Sequence, residues 1–413
     1  MKYNKLLTEN LKIEAAPEAD LLYIPACQHI GSPSKVIVKK GDTVKVGQLI
    51  AESTGYCSTN IHASVSGKVI DVIDHIHTNG SKPDTVVIEN DHNYKTIKLA
   101  PIPDYKNLTN EELVAKIKEF GIVGLGGATF PTHIKLSPGK PVQEIIINGA
   151  ECEPYLTADH RLLIEDTKAF FAGIDVIDHI LNPERIYVGV EDNKMECIKT
   201  LKTYGLHHSK VEVKKLPTMY PQGAEKVLVK NITGKNIHKL PIDQGVVVLN
   251  VATVAQIGKS FATGMPLIDR IVTVSGELLE KHYNYRVRIG TKFEDILPSL
   301  DYLNDKEHKI ISGGPMMGMA QYDLSVPVIK GTSGILVIPN NTKEETDCIR
   351  CGTCIDNCPL GLLPIAAAKK GFQAMDCMEC GLCSYNCPAS VNLVQRIRSQ
   401  KNKIKRIACE CKK

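Results

Sequence analysis

Cys348-Ile349-Arg350-Cys351-Gly352-Thr353-Cys354-Ile355-Asp356-Asn357-Cys358-Pro359 and Cys377-Met378-Glu379-Cys380-Gly381-Leu382-Cys383-Ser384-Tyr385-Asn386-Cys387-Pro388 are two copies of one pattern, C-x2-C-x2-C-x3-C-P. Thiolates three and four residues apart in one loop reach three corners of a cubane, and in paired runs of this kind the fourth crosses to the other cluster. The spacing predicts one 4Fe–4S centre on Cys348, Cys351, Cys354 and Cys387, and a second on Cys377, Cys380, Cys383 and Cys358. Structural zinc, the alternative, prefers two CxxC pairs across a longer loop, without a third cysteine close behind. A disulfide framework belongs to small secreted domains. This chain has 413 residues, and Met1-Lys2-Tyr3-Asn4-Lys5 opens no apolar segment of the secretory kind.

Around those runs the composition is that of a globular protein, 43% apolar and 23% charged. The length predicts two to four domains. No apolar run approaches the ~18 residues that span a bilayer. Reduced thiols then point to the cytosol. A net charge of +4 is too small to argue for nucleic acid. One basic excess lies near the end, at Arg396, Arg398, Lys401, Lys403, Lys405, Arg406, Lys412 and Lys413. It fits an acidic partner, an anionic membrane surface or the solvated end of a helix.

Upstream, residues 21–75 alternate short apolar runs with turns at Gly41-Asp42 and Gly47-Gln48, read as hairpins of a small half-buried sheet. The two halves resemble the barrel-sandwich domain of biotinyl and lipoyl carriers. The turn between them, Gly55-Tyr56-Cys57-Ser58-Thr59-Asn60, lacks the modifiable lysine of those carriers, which argues against a swinging arm. From about residue 108, strand-like runs such as Glu144–Ile147 and Val246–Asn250 alternate with helical stretches at Glu111–Phe120, Arg161–Leu181, Lys194–Thr203 and Gly223–Lys230. That order predicts a mainly parallel sheet covered on both faces. Residues 270–338 return to strands around one helix, Phe293–Leu300, and Pro364–Phe372 and Asn392–Lys401 read as helices between and after the cysteine runs.

A second chemical site is expected at Gly124-Leu125-Gly126-Gly127, because backbone amides approach phosphate only where side chains are absent. Lys135, Asn148, Glu151 and Glu153 follow it near a strand end, where α/β sheets bind ligands. Gly124-Leu125-Gly126-Gly127-Ala128-Thr129-Phe130-Pro131-Thr132-His133-Ile134-Lys135-Leu136 resembles the flavin loop of the NADH-oxidising subunit of respiratory complex I. Asn148-Gly149-Ala150-Glu151-Cys152-Glu153-Pro154-Tyr155 is similar to the next flavin and nicotinamide segment of that fold. With Thr157-Ala158-Asp159-His160-Arg161, Tyr220-Pro221-Gln222-Gly223-Ala224-Glu225-Lys226, Asn250-Val251-Ala252-Thr253 and Ser312-Gly313-Gly314-Pro315-Met316-Met317-Gly318, the chain resembles the RnfC family of the Rnf electron transport complex.

That resemblance implies a multidomain α/β plus β protein: an N-terminal tail (1–20), a barrel-sandwich domain (21–100), a Rossmann-like FMN/NADH-binding α/β domain (101–265), a small β-grasp-like ligand-binding domain (266–338) and a helical two-cluster ferredoxin-like domain with a basic tail (339–413). It implies non-covalent FMN contacted by Gly124, Gly126, Gly127, Lys135, Asn148, Tyr220, Gly223, Asn250 and Thr253. NAD(H) would be bordered by Phe130, Glu151, Glu153 and Glu225. The implied activity is electron transfer between NAD(H) and two 4Fe–4S clusters within an ion-translocating ferredoxin:NAD oxidoreductase. The partners would be the other Rnf subunits and, indirectly, ferredoxin. Membrane association would be peripheral, on the cytoplasmic face. The glycine-glycine-x-histidine-proline segment usual near the start of RnfC proteins is absent from residues 1–20. Two other readings stay open: a soluble adaptor feeding a terminal reductase such as an amino-acid reductase, and a flavin-free iron–sulfur scaffold. Cys27, Cys152 and Cys197 read as packed thiols and Cys57 as a bystander on its turn, with redox roles for Cys57 and Cys152 as the alternative; Cys409/Cys411 read as a frayed end, with metal binding as the alternative.

Overall fold

Two compact units divide the chain, one formed by residues 1–314 with 319–338 and the other by 315–318 with 339–413. The computed structural model describes residues 3–237, 239–298, 300 and 307–410, without the side chains of 408–410. The first unit begins with two small sheets. Strands Leu21–Pro25, Asp84–Asn90, Gly67–Asp74 and Thr43–Val44 pair antiparallel in that order, and Lys35–Val36, Leu49–Glu52 and Ile61–His62 form the second sheet. The turns at Gly41 and Gly47 are therefore not hairpins. Each carries the chain from one sheet to the other, so that Val44, Ile50, Ile61 and Val69 close one apolar core. Apolar alternation fixes which face is buried but not which strand lies alongside.

The central sheet is wholly parallel, in the order Val211–Leu216, Arg185–Glu191, Glu144–Gly149, Val246–Asn250. Successive residues of one strand serve different cores: Ile145 and Ile147 join one cluster and Ile146 the other. Burial of both faces is what parallel sheets require. One face is covered by helices Thr167–Leu181 and Val251–Thr263, whose backbones touch: a Cβ on Gly258 would fall 2.0 Å from Ala169 O. Leu228 and Val229 of helix Glu225–Thr233 cover the other.

Two predicted helices differ. The stretch read as one helix over Arg161–Leu181 is two, Ala158–Glu165 and Thr167–Leu181, parted at Asp166 (φ −106, ψ 24). The helix expected over Phe293–Leu300 ends at Ile296, because Leu297 precedes Pro298 and is driven to extended backbone (φ −73, ψ 138). The remaining sheet of this unit has six strands. Its edge strand, Ile13–Ala15, pairs parallel with Tyr283–Arg288, so part of the expected N-terminal tail belongs to that sheet.

In the second unit, helices Pro364–Lys370 and Leu393–Glu410 close a small core of Ala367, Ala374, Val391, Leu393 and Ile397. The last helix runs past the expected Asn392–Lys401; the Cys409 side chain and Cys411 lie outside the described residues. Among the described residues, no helix is long and apolar enough to cross a membrane.

Candidate functional site: a cofactor crevice and a thiol-lined cavity

Parallel pairing sets Asn148 and Asn250 side by side at the carboxyl ends of their strands. Asn250 faces three ways. Its Oδ1 accepts from Ala252 N (2.9 Å) and Thr253 N (3.4 Å), capping helix Val251–Thr263, while its Nδ2 donates to Asp159 Oδ2 (2.7 Å). Asn148 Nδ2 donates to Gly223 O (2.8 Å), drawing the 220–224 loop over the strand end. The glycine-rich loop closes above: Gly124 N bonds Phe130 O, Thr129 N bonds Gly124 O, and Leu125 N donates to Thr253 Oγ1 at 2.8 Å. Gly126 lies against Asn250, where a Cβ would come within 3.2 Å of Nδ2.

Gly127 (φ +99) has open space where its side chain would be, and among the described residues no acceptor meets the amides of Gly126 and Gly127. A loop with free amides on an open side fits the phosphate end of a flavin nucleotide. Lys135 Nζ sits on Glu225 Oε1 (2.5 Å) and Val248 O (3.0 Å), so that lysine and glutamate act as a pair.

After Gly149 the chain makes a tight turn with Glu151 (φ 47) and Tyr155 (φ 68) in the left-handed region. Glu151 accepts from Asp159 N (2.7 Å) and His160 N (3.3 Å), holding the start of helix Ala158–Glu165. The hydroxyl of Thr157, the usual cap position, is occupied instead by Thr8 and Asn284. Close packing and the neighbouring Glu151 charge push the Asp159 carboxyl up to about 7. Burial pushes the Cys152 thiol up to about 12, with its Sγ accepting from Gly223 N at 3.4 Å, so it is a packed neutral thiol and not a reactive thiolate. Glu153 lies under Gly314: a Cβ there would fall 2.2 Å from Glu153 Oε2.

In the second unit the described cysteines are free thiols. Each run turns at a left-handed glycine, Gly352 or Gly381, into a single helical turn, Thr353–Asp356 or Leu382–Tyr385. Cys358, Cys377, Cys380 and Cys383 line one cavity with Leu362, Val394 and Ile397. The thiols ring a space; among the described residues no three His, Cys, Asp or Glu gather as ligands of a single metal ion do. A ring of thiols in an apolar wall fits a multi-iron cluster, whose ligands stand at the corners of a box. Glu379 N donates to Cys377 Sγ (3.3 Å) and Val391 N to Cys387 Sγ (3.4 Å), contacts of the kind that tune such centres.

Residues 1–93 match the RnfC barrel sandwich hybrid domain, 117–259 the Nuo51 FMN-binding domain, 271–320 the SLBB domain and 347–391 the 4Fe-4S dicluster domain. The chain is 46% identical over 369 residues to the C subunit of the proton-translocating ferredoxin:NAD(+) oxidoreductase complex of Clostridium ljungdahlii, covering 87% of this chain and 80% of that one. Identity is 41% over 376 residues to the Na(+)-translocating counterpart of Acetobacterium woodii, covering 89% and 85%. It is 40% over 373 residues to the C subunit of the ion-translocating oxidoreductase complex of Rhodobacter capsulatus, covering 87% and 72%. This chain belongs to that RnfC family. A crystal structure of an NAD+-reducing NiFe hydrogenase in the H2-reduced state shares 17% identity at a TM-score of 0.47 over 71% of this chain and 54% of that one, a likeness too weak to carry an argument.

In this member of the RnfC family, Asn148 with Gly223 and Asn250 with Thr253 are joined by hydrogen bonds at neighbouring strand ends, and the Gly124–Gly127 loop is tied to them through Leu125 N on Thr253 and the packing of Gly126 against Asn250. Of the carboxylates expected at the dinucleotide, Glu151 accepts from the amides of Asp159 and His160, Glu225 pairs with Lys135, and Glu153 lies against Gly314. The basic run is also less open than its sequence implies, because Arg396 pairs with Glu345, and Arg398 (2.8 Å) and Lys401 (2.6 Å) with Glu379. Sequence reasoning missed Lys5, Asp159 and Gly314. Asp159 and Gly314 stood within quoted segments without a role, and nothing local marks Lys5.

Proposed function

We infer that this chain carries electrons between NAD(H) and a pair of 4Fe–4S clusters by way of bound FMN, as the RnfC subunit of an ion-translocating ferredoxin:NAD oxidoreductase. The observation that carries this is the presence in one chain of a glycine crevice with free amides and a cavity ringed by four thiols. Hydride arrives as an electron pair and a cluster takes one electron, and a flavin is the cofactor that converts between them. The amides of Gly126 and Gly127 bind its phosphate. Asn148, Asn250 and Thr253 fix the loops around it, with Gly223 and Tyr220 closing the side and Gly124 shaping the turn. Lys135 stands at the crevice as an ion pair with Glu225. Glu153 and Phe130 border the dinucleotide.

Cys358 with Cys377, Cys380 and Cys383 holds one cluster, a grouping supported by their shared cavity. Cys348, Cys351, Cys354 and Cys387 hold the other. The boundaries near residues 20, 100, 265 and 338, and the Rossmann-like and β-grasp-like descriptions, belong to the same proposal. So do the partners, the other Rnf subunits and through them ferredoxin, and a peripheral place on the cytoplasmic face of the membrane. The test is a visible spectrum of anaerobically purified protein before and after cluster removal. A flavin band that persists supports the inference; iron without flavin refutes it and leaves a scaffold.

A further inference from the structure

Leu6 is 82% exposed while its neighbour Lys5 is 4% exposed, the reverse of how an amphipathic segment usually docks. Taking an ammonium out of water is expensive unless its donors are matched. Here all three are: Lys5 Nζ donates to the main-chain oxygens of Glu151 (2.7 Å), Glu153 (2.9 Å) and Leu156 (2.6 Å). An ammonium has three donors, so none remains for a ligand. Lys5 is therefore not a phosphate contact. Its effect falls on the turn. Three carbonyl oxygens converging on one point repel each other without a cation between them, and this turn also holds Glu151 and Tyr155 at positive φ, a conformation that persists only where surroundings enforce it.

The rest of the segment is laid down to keep that lysine in place. Tyr3 O accepts from Tyr155 N (2.8 Å), and Thr8 Oγ1 donates to Tyr155 O (3.3 Å) and accepts from Thr157 Oγ1 (2.8 Å). Asn284 Nδ2 holds Thr8 O (2.9 Å), and strand Ile13–Ala15 then joins the sheet edge.

We propose that Lys5 is a positioning residue for the nucleotide site, its ammonium gathering the 151, 153 and 156 carbonyls so that the turn presents Glu153 to the pyridine nucleotide. The role of the turn rests on the function inferred above; the strap itself does not. Lys5 is pulled down to about 8 by its burial, with Lys194 adding to the effect and Glu151, Glu191 and Cys152 opposing it. Tyr3, Asp159, His160 and Cys197 also feel this cluster.

The test uses the full, cofactor-loaded chain as wild type, Lys5→Met, Lys5→Arg and Lys5→Ala. In Lys5→Met, amide exchange at 151–156 accelerates, and KM for NADH with an artificial acceptor rises about ten- to hundred-fold, the scale a displacement of roughly 1 Å costs in a site. Its kcat, flavin and iron content stay close to wild type, and methylammonium restores KM in Lys5→Ala. Wild-type KM climbs above pH 8 as Lys5 deprotonates, and Lys5→Arg, which stays charged, loses that climb. Unchanged exchange and KM in Lys5→Met overturn the proposal. Should Lys5→Met not fold, Lys5→Ala overturns it instead if its exchange at 151–156 and its KM match wild type or do not respond to methylammonium. A wild-type chain that takes up neither flavin nor NADH refutes the dinucleotide reading, and exchange at 151–156 still decides whether Lys5 sets the turn.

Discussion

Replacing Gly314 by alanine adds one methyl group at a place where the surroundings are fixed. The new Cβ would lie 2.2 Å from Glu153 Oε2, 2.4 Å from Cδ and 2.7 Å from Cβ. A rotamer change clears the carboxylate but not the Glu153 Cβ, so the turn or the 313–314 loop must shift. The turn is held by the three Lys5 bonds and Gly313 by its amide bond to Gly334 O (2.7 Å), so neither moves freely. Forcing a methyl into such a contact costs about 1–3 kcal/mol. If Glu153 borders the nucleotide, that strain appears as weaker NADH binding of about 5- to 150-fold. KM for NADH in anaerobic dye reduction reads it, with flavin content and iron per chain as controls. A KM within twofold of wild type, in protein with normal cofactor content, refutes the placement of Glu153 at the nucleotide.

Asn250→Ala removes a helix cap worth about 1 kcal/mol and leaves Asp159 short of a donor, a further loss of about 1–3 kcal/mol; a lowered urea midpoint and weaker FMN binding by fluorescence titration are expected. Cys358→Ser should lose the cluster of the second run. Adding Cys380→Ser then removes no more iron, whereas adding Cys348→Ser removes the rest; the opposite pattern contradicts the crossed ligation. Asp159 is raised from the usual 3.8 to about 7, so in the pH window between those values the folded chain binds the proton that the unfolded chain has released. That contribution to stability is present below the unfolded value and is lost as pH rises through about 7. Denaturant titrations of wild type and Asp159→Asn should show the difference between them shift in favour of Asn across that window.

The 4Fe-4S dicluster domain was legible because its signal is local: the first three cysteines of each run lie within seven residues, so spacing alone marks it. The glycine loop was legible for a related reason, since a missing side chain can be read from one letter. Lys5 could not be read. A lysine in a polar segment carries no signal, and its acceptors are main-chain oxygens 146 to 151 residues away. Glu151 and Glu153 look alike in sequence, yet an occupied Thr157 hydroxyl turns the first inward to cap a helix. The Gly41 and Gly47 turns look like hairpins because burial periodicity does not name a partner strand. The break at Asp166 was hidden by apolar spacing that continues across it, from Leu162 and Leu163 to Phe170 and Phe171.

The central claim is that electrons cross this chain between clusters and nucleotide through a flavin. Its most direct test is to reduce the loaded protein without oxygen, remove the reductant and add NAD+. NADH absorbance should grow while the paramagnetic signal of the reduced clusters disappears, and a flavin-stripped sample should do neither. Reduced clusters that persist beside NAD+ in flavin-replete protein, or that discharge equally well without flavin, would contradict it.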